Sequence, residues 1–234
     1  MPSKSFTLDD EVVITVYKRR GNRHLRLSIN ASGQVKVSIP TWAPYKAGVD
    51  FARSRHDWII AQASPPPLLK HGQAIGKAHH LNFSARLGTT RVSSQTRGNT
   101  ITISYPPDLD ALAPSVQQSA HRAAIRSLRA QAQQLLPQRL ADLAAKHGFE
   151  YAEVSIKQMS GRWGSCDQRR RIVLNLYLMQ LPWDLIDYVL LHELAHTQVL
   201  RHGPDFWQAM ESVLPQAKDK RRQLKAYRPI LATE

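Results

Sequence analysis

YVLLHELAHTQVLRHGPDFW, residues 188–207, is the stretch around which the rest of the chain is read. On an α-helix residues four apart stack one turn above the other, so His192 and His196 present two imidazoles to one point in space. That is the bite a tetrahedral zinc ion requires, and Glu193, one position after the first ligand, stands where it can hold a water at the metal and take its proton. The surrounding positions Leu185, Ile186, Tyr188, Val189, Leu190, Leu191, Leu194 and Ala195 are apolar on nearly every side. A helix hydrophobic all round is a buried one. Two imidazoles and a carboxylate inside it are costly unless bonded, which favours a site over three unrelated polar side chains.

The third ligand is sought beyond the end of this helix. His202 lies six residues after His196, and Gly203-Pro204 marks a break and a new helix with proline at its first position. The same His-to-His spacing occurs in the metzincin pattern HExxHxxGxxH, but Val199 stands at the glycine position, so a different turn must return His202 to the metal. Glu211 on the next helix is a rival as a carboxylate ligand. Asp205 is another, as a helix-start residue or a partner to a ligand histidine. His202 is preferred.

The composition bounds the rest. A chain of 234 residues with 42% hydrophobic content can build a real core. The single cysteine, Cys166, excludes an intramolecular disulfide and suits a reducing compartment. MPSKSFTLDD lacks the apolar core of a signal peptide, and no run of 18 apolar residues occurs, so a soluble, cytoplasmic protein with no membrane partner is expected. The formal charge of +14 implies attraction to polyanions. Its carriers are scattered: Lys18, Arg19, Arg20, Arg23 and Arg26, then Arg169 to Arg171, then Lys218, Lys220, Arg221 and Arg222. Nucleic acid or nucleoprotein is therefore an expected partner class on charge alone, with no binding motif beside it.

Residues 12–40 alternate in polarity, with Val12, Ile14, Val16, then Leu25, Leu27, Ile29, then Val35, Val37, Ile39, and turn residues at Gly21-Asn22 and Asn30 to Gly33. This predicts a three-stranded meander. A helix is predicted within 43–62, with Trp58 in the core and Pro65 to Pro67 ending it. Further strands are predicted around 79–83, 85–92 and 100–105. His79 and His80 are adjacent and would point to opposite faces of a strand, which argues against a metal pair. After Pro106-Pro107 an Ala-, Gln- and Leu-rich stretch predicts a long helix, opened by a Ser115/Gln118 capping box, kinked at Pro137 and closed by Gly148. Val154 and Ile156, then Ile172, Leu174 and Leu176, predict a hairpin or antiparallel pair with SGRWGSCDQRRR as its loop. Phe206, Met210, Val213 and Leu214 form a stripe that should pack on the His192 helix, and residues 216–228 read as a basic, partly helical tail.

GRWGSC, IVLNLYL, DYVLLHELAH and RHGPDFW, in this order and spacing, resemble the YgjP-like metallopeptidase domain, and HDWI at 56–59 resembles that family's beginning. The resemblance implies an α+β protein related to the SprT-like and WLM groups, with a β-rich segment at 1–107 and a small zincin-like catalytic domain with an HExxH active-site helix at 108–234. It also implies zinc on His192, His196 and His202, with Glu193 catalytic and a peptide or protein as substrate. In zincins a substrate chain adds as a strand along a small sheet; here the edge is expected from Arg162 to Leu176, with Arg162 or Trp163 contacting the bound chain. Trp163 in the core, Gly164 as a bend and Cys166 as a small filler or as a metal ligand are the competing readings. Tyr188, Tyr227 and Arg162 are candidate donors to a developing oxyanion. The rival to a peptidase is a zinc-stabilised, basic binding module without turnover, attached to nucleic acid or nucleoprotein.

Overall fold

The computed structural model describes residues 3–8, 12–29, 34–56, 58–59, 68–159 and 161–231. The turn expected at Asn30 to Gly33 and the proline run at Pro65 to Pro67 lie outside them, as does Asp57 of the HDWI segment. The protein is α+β, with three small sheets and two compact units, Met1–Pro67 and Leu68–Glu234. The composition change at Pro106-Pro107 falls inside the second unit. Among the described residues no helix is long and apolar enough to cross a membrane.

The first unit holds β1 (Ser3–Leu8), β2 (Val12–Lys18), β3 (Arg26–Ile29), β4 (Val35–Ile39) and α1 (Tyr45–Arg53), with sheet order β1-β2-β4-β3. The three strands read from the alternating pattern are all present, but they are not a meander. β4 lies between β2 and β3, parallel to β2 (Val16 opposite Val37) and antiparallel to β3. The reason is burial: four of the five β4 residues are buried, against none of β3, so β4 takes the interior position. The N-terminal residues add an unforeseen antiparallel edge strand, β1, with Phe6 opposite Ile14. Trp58 is 46% exposed and its neighbour Ile59 is fully buried, so the core position is one residue on from the expected one.

The second unit begins with β5 (Ala74–Ile75), β6 (His79–Ala85), β7 (Ser93–Arg97) and β8 (Thr100–Tyr105), in the order β5-β6-β8-β7. The strand expected at 85–92 forms at 93–97 instead, paired antiparallel with β8 through the turn at Gly98. Against this sheet runs α2 (Pro114–His147). Proline at its first position starts it with no side-chain cap, so the Ser115/Gln118 box is not used. The helix continues through Pro137, and Gly148, at φ 69°, closes it in the left-handed conformation with its N–H on the Ala144 carbonyl.

β9 (Glu153–Lys157), β10 (Gly164–Cys166) and β11 (Arg171–Asn175) form the third sheet in the order β10-β11-β9. β9 and β11 are parallel, not the antiparallel pair expected, and the intervening segment supplies an edge strand antiparallel to β11, with Gly164 opposite Leu174. After a 3-10 turn at Leu176–Gln180 come α3 (Trp183–Ala195), α4 (Pro204–Val213) and α5 (Ala217–Leu224). Leu185, Ile186, Leu190, Leu191 and Leu194 of α3 join Leu128, Leu136 and Leu140 of α2, Ile172 and Leu174 of β11, and Phe206 and Met210 of α4 in one core. Arg139 of α2 donates from Nε and Nη2 to the two oxygens of the Asp187 carboxylate of α3. Its guanidinium and the Lys77 ammonium lie 4.9 and 5.3 Å from the Trp183 ring centroid, so the first turn of α3 is held by cations on its aromatic ring.

Candidate metal centre

Helical periodicity brings His192 and His196 together as the spacing predicts, their ring centroids 4.8 Å apart, with His196 as the C-cap of α3. The chain then turns sharply. Thr197 and Gln198 donate to Leu194 and Ala195, Val199 donates to Ala195, and the next residues swing His202 back over the end of the helix. Among the described residues Arg170 is the one non-glycine residue with positive φ, so nothing from Thr197 to His202 takes a left-handed conformation. The turn has no need of a glycine at 199, where Val199 packs its side chain against the core.

His202 Nε2 lies 3.0 Å from His192 Nε2 and 3.1 Å from His196 Nε2. The potential ligand atoms of the three residues all fall within 4.8 Å of one another, so the triad could hold a metal ion. Nitrogens of a tetrahedral site with Zn–N bonds of about 2.0–2.1 Å sit about 3.4 Å apart, so the trio is already close to that arrangement. His196 Nδ1 is 3.0 Å from the Val199 carbonyl oxygen and donates to it, which leaves the Nε2 lone pair facing the trio. Burial and the neighbouring imidazoles push His192 down to about 3, and burial pushes His196 down as well. Both are therefore neutral at pH 7, the form that binds a metal. Beneath the rings lies Phe206, fully buried, with ring centroids 4.9, 4.5 and 4.9 Å from those of His192, His196 and His202.

Glu193 is 4% exposed, and burial pushes its carboxyl up to about 8 against the opposing charge of Arg162. Among the described residues no hydrogen-bond partner meets its buried Oε2, nor the buried Nδ1 of His192. An unpaired buried carboxyl oxygen beside three inward-facing imidazoles suits a cation and a polar ligand at this place better than an apolar packing role. Edge strand β10 passes directly over Glu193. A Cβ on Gly164 would stand 2.5 Å from Glu193 Oε1 and 2.7 Å from its Cγ, so only glycine admits the carboxylate there.

The remaining expected residues divide. Arg162 is exposed at the start of the edge strand, and Trp163 is half-buried against the core, its carbonyl accepting from Asn175 N–H. Tyr188 is buried with its ring 5.9 Å from His192, while Tyr227 is exposed beyond α5. Glu211 is engaged by Lys218 at 2.6 Å, Asp205 lies in the first turn of α4, and Cys166 directs its thiol to the Asp167 carbonyl at 3.6 Å. None of the three joins the ligand cluster among the described residues. His79 and His80 are engaged separately, His79 with Ser127 and Gln131 and His80 with Thr100.

Asn175 was not singled out from the sequence. Fully buried, it donates through Nδ2 to the carbonyls of Met159 and Arg162, each at 2.7 Å, and accepts at Oδ1 from the N–H groups of Tyr177 and Met159. It holds the segment leading into β10 against β11. The available signal was a polar residue interrupting the apolar run IVLNLYL, which calls for a partner.

No curated protein sequence matches the chain. Solved structures that resemble it include two archaeal metallopeptidase zymogens. Pyrococcus abyssi abylysin is 22% identical over 44% of this chain and 93% of that one, with a TM-score of 0.34. Methanocaldococcus jannaschii jannalysin is 17% identical over 44% and 94%, also with a TM-score of 0.34. The model of the YgjP-like metallopeptidase domain matches residues 23–227, which takes in the histidine trio, Glu193 and the edge strand above them, and the chain belongs to that family.

Proposed function

We propose that the protein hydrolyses peptide bonds at a single zinc ion held by His192, His196 and His202, with Glu193 as general base. The observation that carries this reading is the convergence of three ring nitrogens beside a buried carboxyl whose Oε2 has no partner among the described residues. Among the described residues no fourth His, Cys, Asp or Glu joins the cluster. Structural zinc sites are closed by four protein ligands, whereas catalytic sites keep a position open. Zinc at this place would acidify water and polarise a substrate carbonyl.

The chain's own residues do the rest. Glu193, ionised by the positive charge of a bound cation, takes a proton from the attacking water and returns it to the leaving amine. Its carboxylate is positioned by α3 from below and by Gly164 from above. The edge strand β10 offers unpaired backbone groups to a polypeptide laid alongside it, a β-augmentation that presents the scissile bond to Glu193. Arg162, exposed at the entry to that strand, contacts the bound chain. Tyr188, whose ring lies 5.9 Å from that of His192, is our candidate donor to the oxyanion.

The test compares wild-type protein and Glu193→Gln, both zinc-loaded, by metal analysis and by digestion of a peptide library read by mass spectrometry. Glu193→Gln is expected to keep zinc while turnover falls about 10²–10⁴-fold. A variant that cleaves peptides as fast as wild type would remove Glu193 from the mechanism.

A further inference from the structure

The helix α5 carries a basic cleft of about 380 Å³ lined by Lys218, Asp219, Arg221, Arg222 and Lys225. Its cations are not equivalent. Lys218 is paired with Glu211 at 2.6 Å and Arg222 with Asp219 at 2.5 Å. No carboxylate among the described residues pairs with Arg221 or Lys225. Arg221 is also the lining residue tied to the metal centre. Its guanidinium lies 5.0 Å from the Trp207 ring centroid, Trp207 is 5.4 Å from Phe206, and Phe206 is the floor beneath the three histidines. The positive charge of Arg221 is felt at Tyr188 and at His192 on α3. The contact with Trp207 holds the guanidinium by a cation–π attraction.

We propose that this cleft receives an acidic segment of the polypeptide being cleaved, with Arg221 as a specificity-determining residue and Lys225 as its second cation. The inference rests on the peptidase reading, since it assigns the substrate class of that site. A carboxylate matches the planar guanidinium fork, and two cations that no carboxylate pairs with among the described residues raise the local concentration of acidic chains. Nucleic acid fits less well. It needs an extended basic stripe and aromatic faces open for stacking, whereas this cleft carries Asp219 in its lining and Trp207 is covered by Arg221.

Two peptides of equal length sharing one cleavable bond, one flanked by three Glu and the other by three Gln, are digested by the zinc-loaded protein. The Glu peptide is expected to show a kcat/KM about 10-fold higher at about 0.01 M ionic strength, the ratio shrinking toward 1 M salt as the screening length falls from about 30 to 3 Å. Arg221→Glu and, separately, Lys225→Glu should each lower the ratio at least about 3-fold. Arg20→Glu, an equal charge change in the other unit, should leave it in place. Equal rates for the two peptides, or a ratio that survives both cleft variants, overturn the proposal. If neither peptide is hydrolysed, the peptidase reading fails, and fluorescence anisotropy of the labelled peptides still decides the cleft. Preferential binding of the Glu peptide that disappears in Arg221→Glu supports it. No preference, or tighter capture of a labelled single-stranded oligonucleotide through the same residues, overturns it.

Discussion

The candidate site is built from two halves of opposite character. The ligand half, His192 to Phe206, is local: one helix, one turn and the start of the next helix bring all its members within fifteen residues of chain. The proposed substrate half, Met159 to Asn175, is assembled by non-local pairing. Its edge strand has only three residues, β10 rests on β11, and the approach to it is held by Asn175 from the far side of a loop. Local helix and turn geometry sets the first half, so it tolerates change around it. The second exists only while a register and four hydrogen bonds hold, so small substitutions there should travel further than their size suggests.

The largest expected effect falls in the ligand half. Replacing His196 with Ala removes one of three nitrogens and the donor to the Val199 carbonyl, and zinc affinity should fall by at least about 10³-fold. Zinc competition with a chromophoric chelator measures it. Unchanged affinity would show that the trio is not the metal site. Next comes Gly164→Ala, in the substrate half. The added methyl must displace the Glu193 carboxylate, and an ångström of misplacement at a reacting group costs about 10²-fold in rate. Zinc content should stay at the wild-type level because no ligand is touched. Loss of zinc together with activity would mean that the two halves are one cooperative unit.

Asn175→Leu ranks third and separates folding from chemistry. It removes a side chain that makes four hydrogen bonds and strands the Met159 and Arg162 carbonyls in part-buried positions. An unsatisfied buried group costs about 1–3 kcal/mol, so a loss of about 3 kcal/mol in urea unfolding is expected. A change below about 0.5 kcal/mol would mean that water replaces the amide and that the edge strand does not depend on it.

The same contrast explains what could be read from residues alone. The juxtaposition of His192 and His196 was legible because a 3.6-residue period converts sequence distance directly into spatial distance, and that of His202 because Gly203-Pro204 marks where the chain must break. The positions of most strands were legible from alternation. Their partners were not. The parallel pairing of β9 with β11 and of β2 with β4 depends on which strand buries both faces, a property of the whole sheet. Trp58 was misplaced for the same reason: with Ile59 beside it, the pattern alone does not decide which neighbour faces the core. Gly164 shows the limit most clearly, because the clash that requires glycine is with a residue 29 positions away in sequence and on another element.

Arg162 gives the smallest expected effect and the sharpest division between the halves. It is exposed, its backbone carbonyl is held by Asn175, and its charge lowers the pKa of Glu193 from outside the ligand cluster. Arg162→Ala leaves that carbonyl, the histidines and the core untouched, so stability should change by less than about 0.5 kcal/mol and zinc content not at all. If the side chain contacts a polypeptide laid along β10, kcat/KM should fall about 3–10-fold, the loss expected for one exposed charged contact of about 1 kcal/mol. The loss should lie mainly in KM if Arg162 only holds the chain, and in kcat if it also assists the oxyanion. Full activity in Arg162→Ala, with stability unchanged, would leave the substrate half to act through its backbone alone, with β-augmentation rather than side-chain recognition setting where the chain lies.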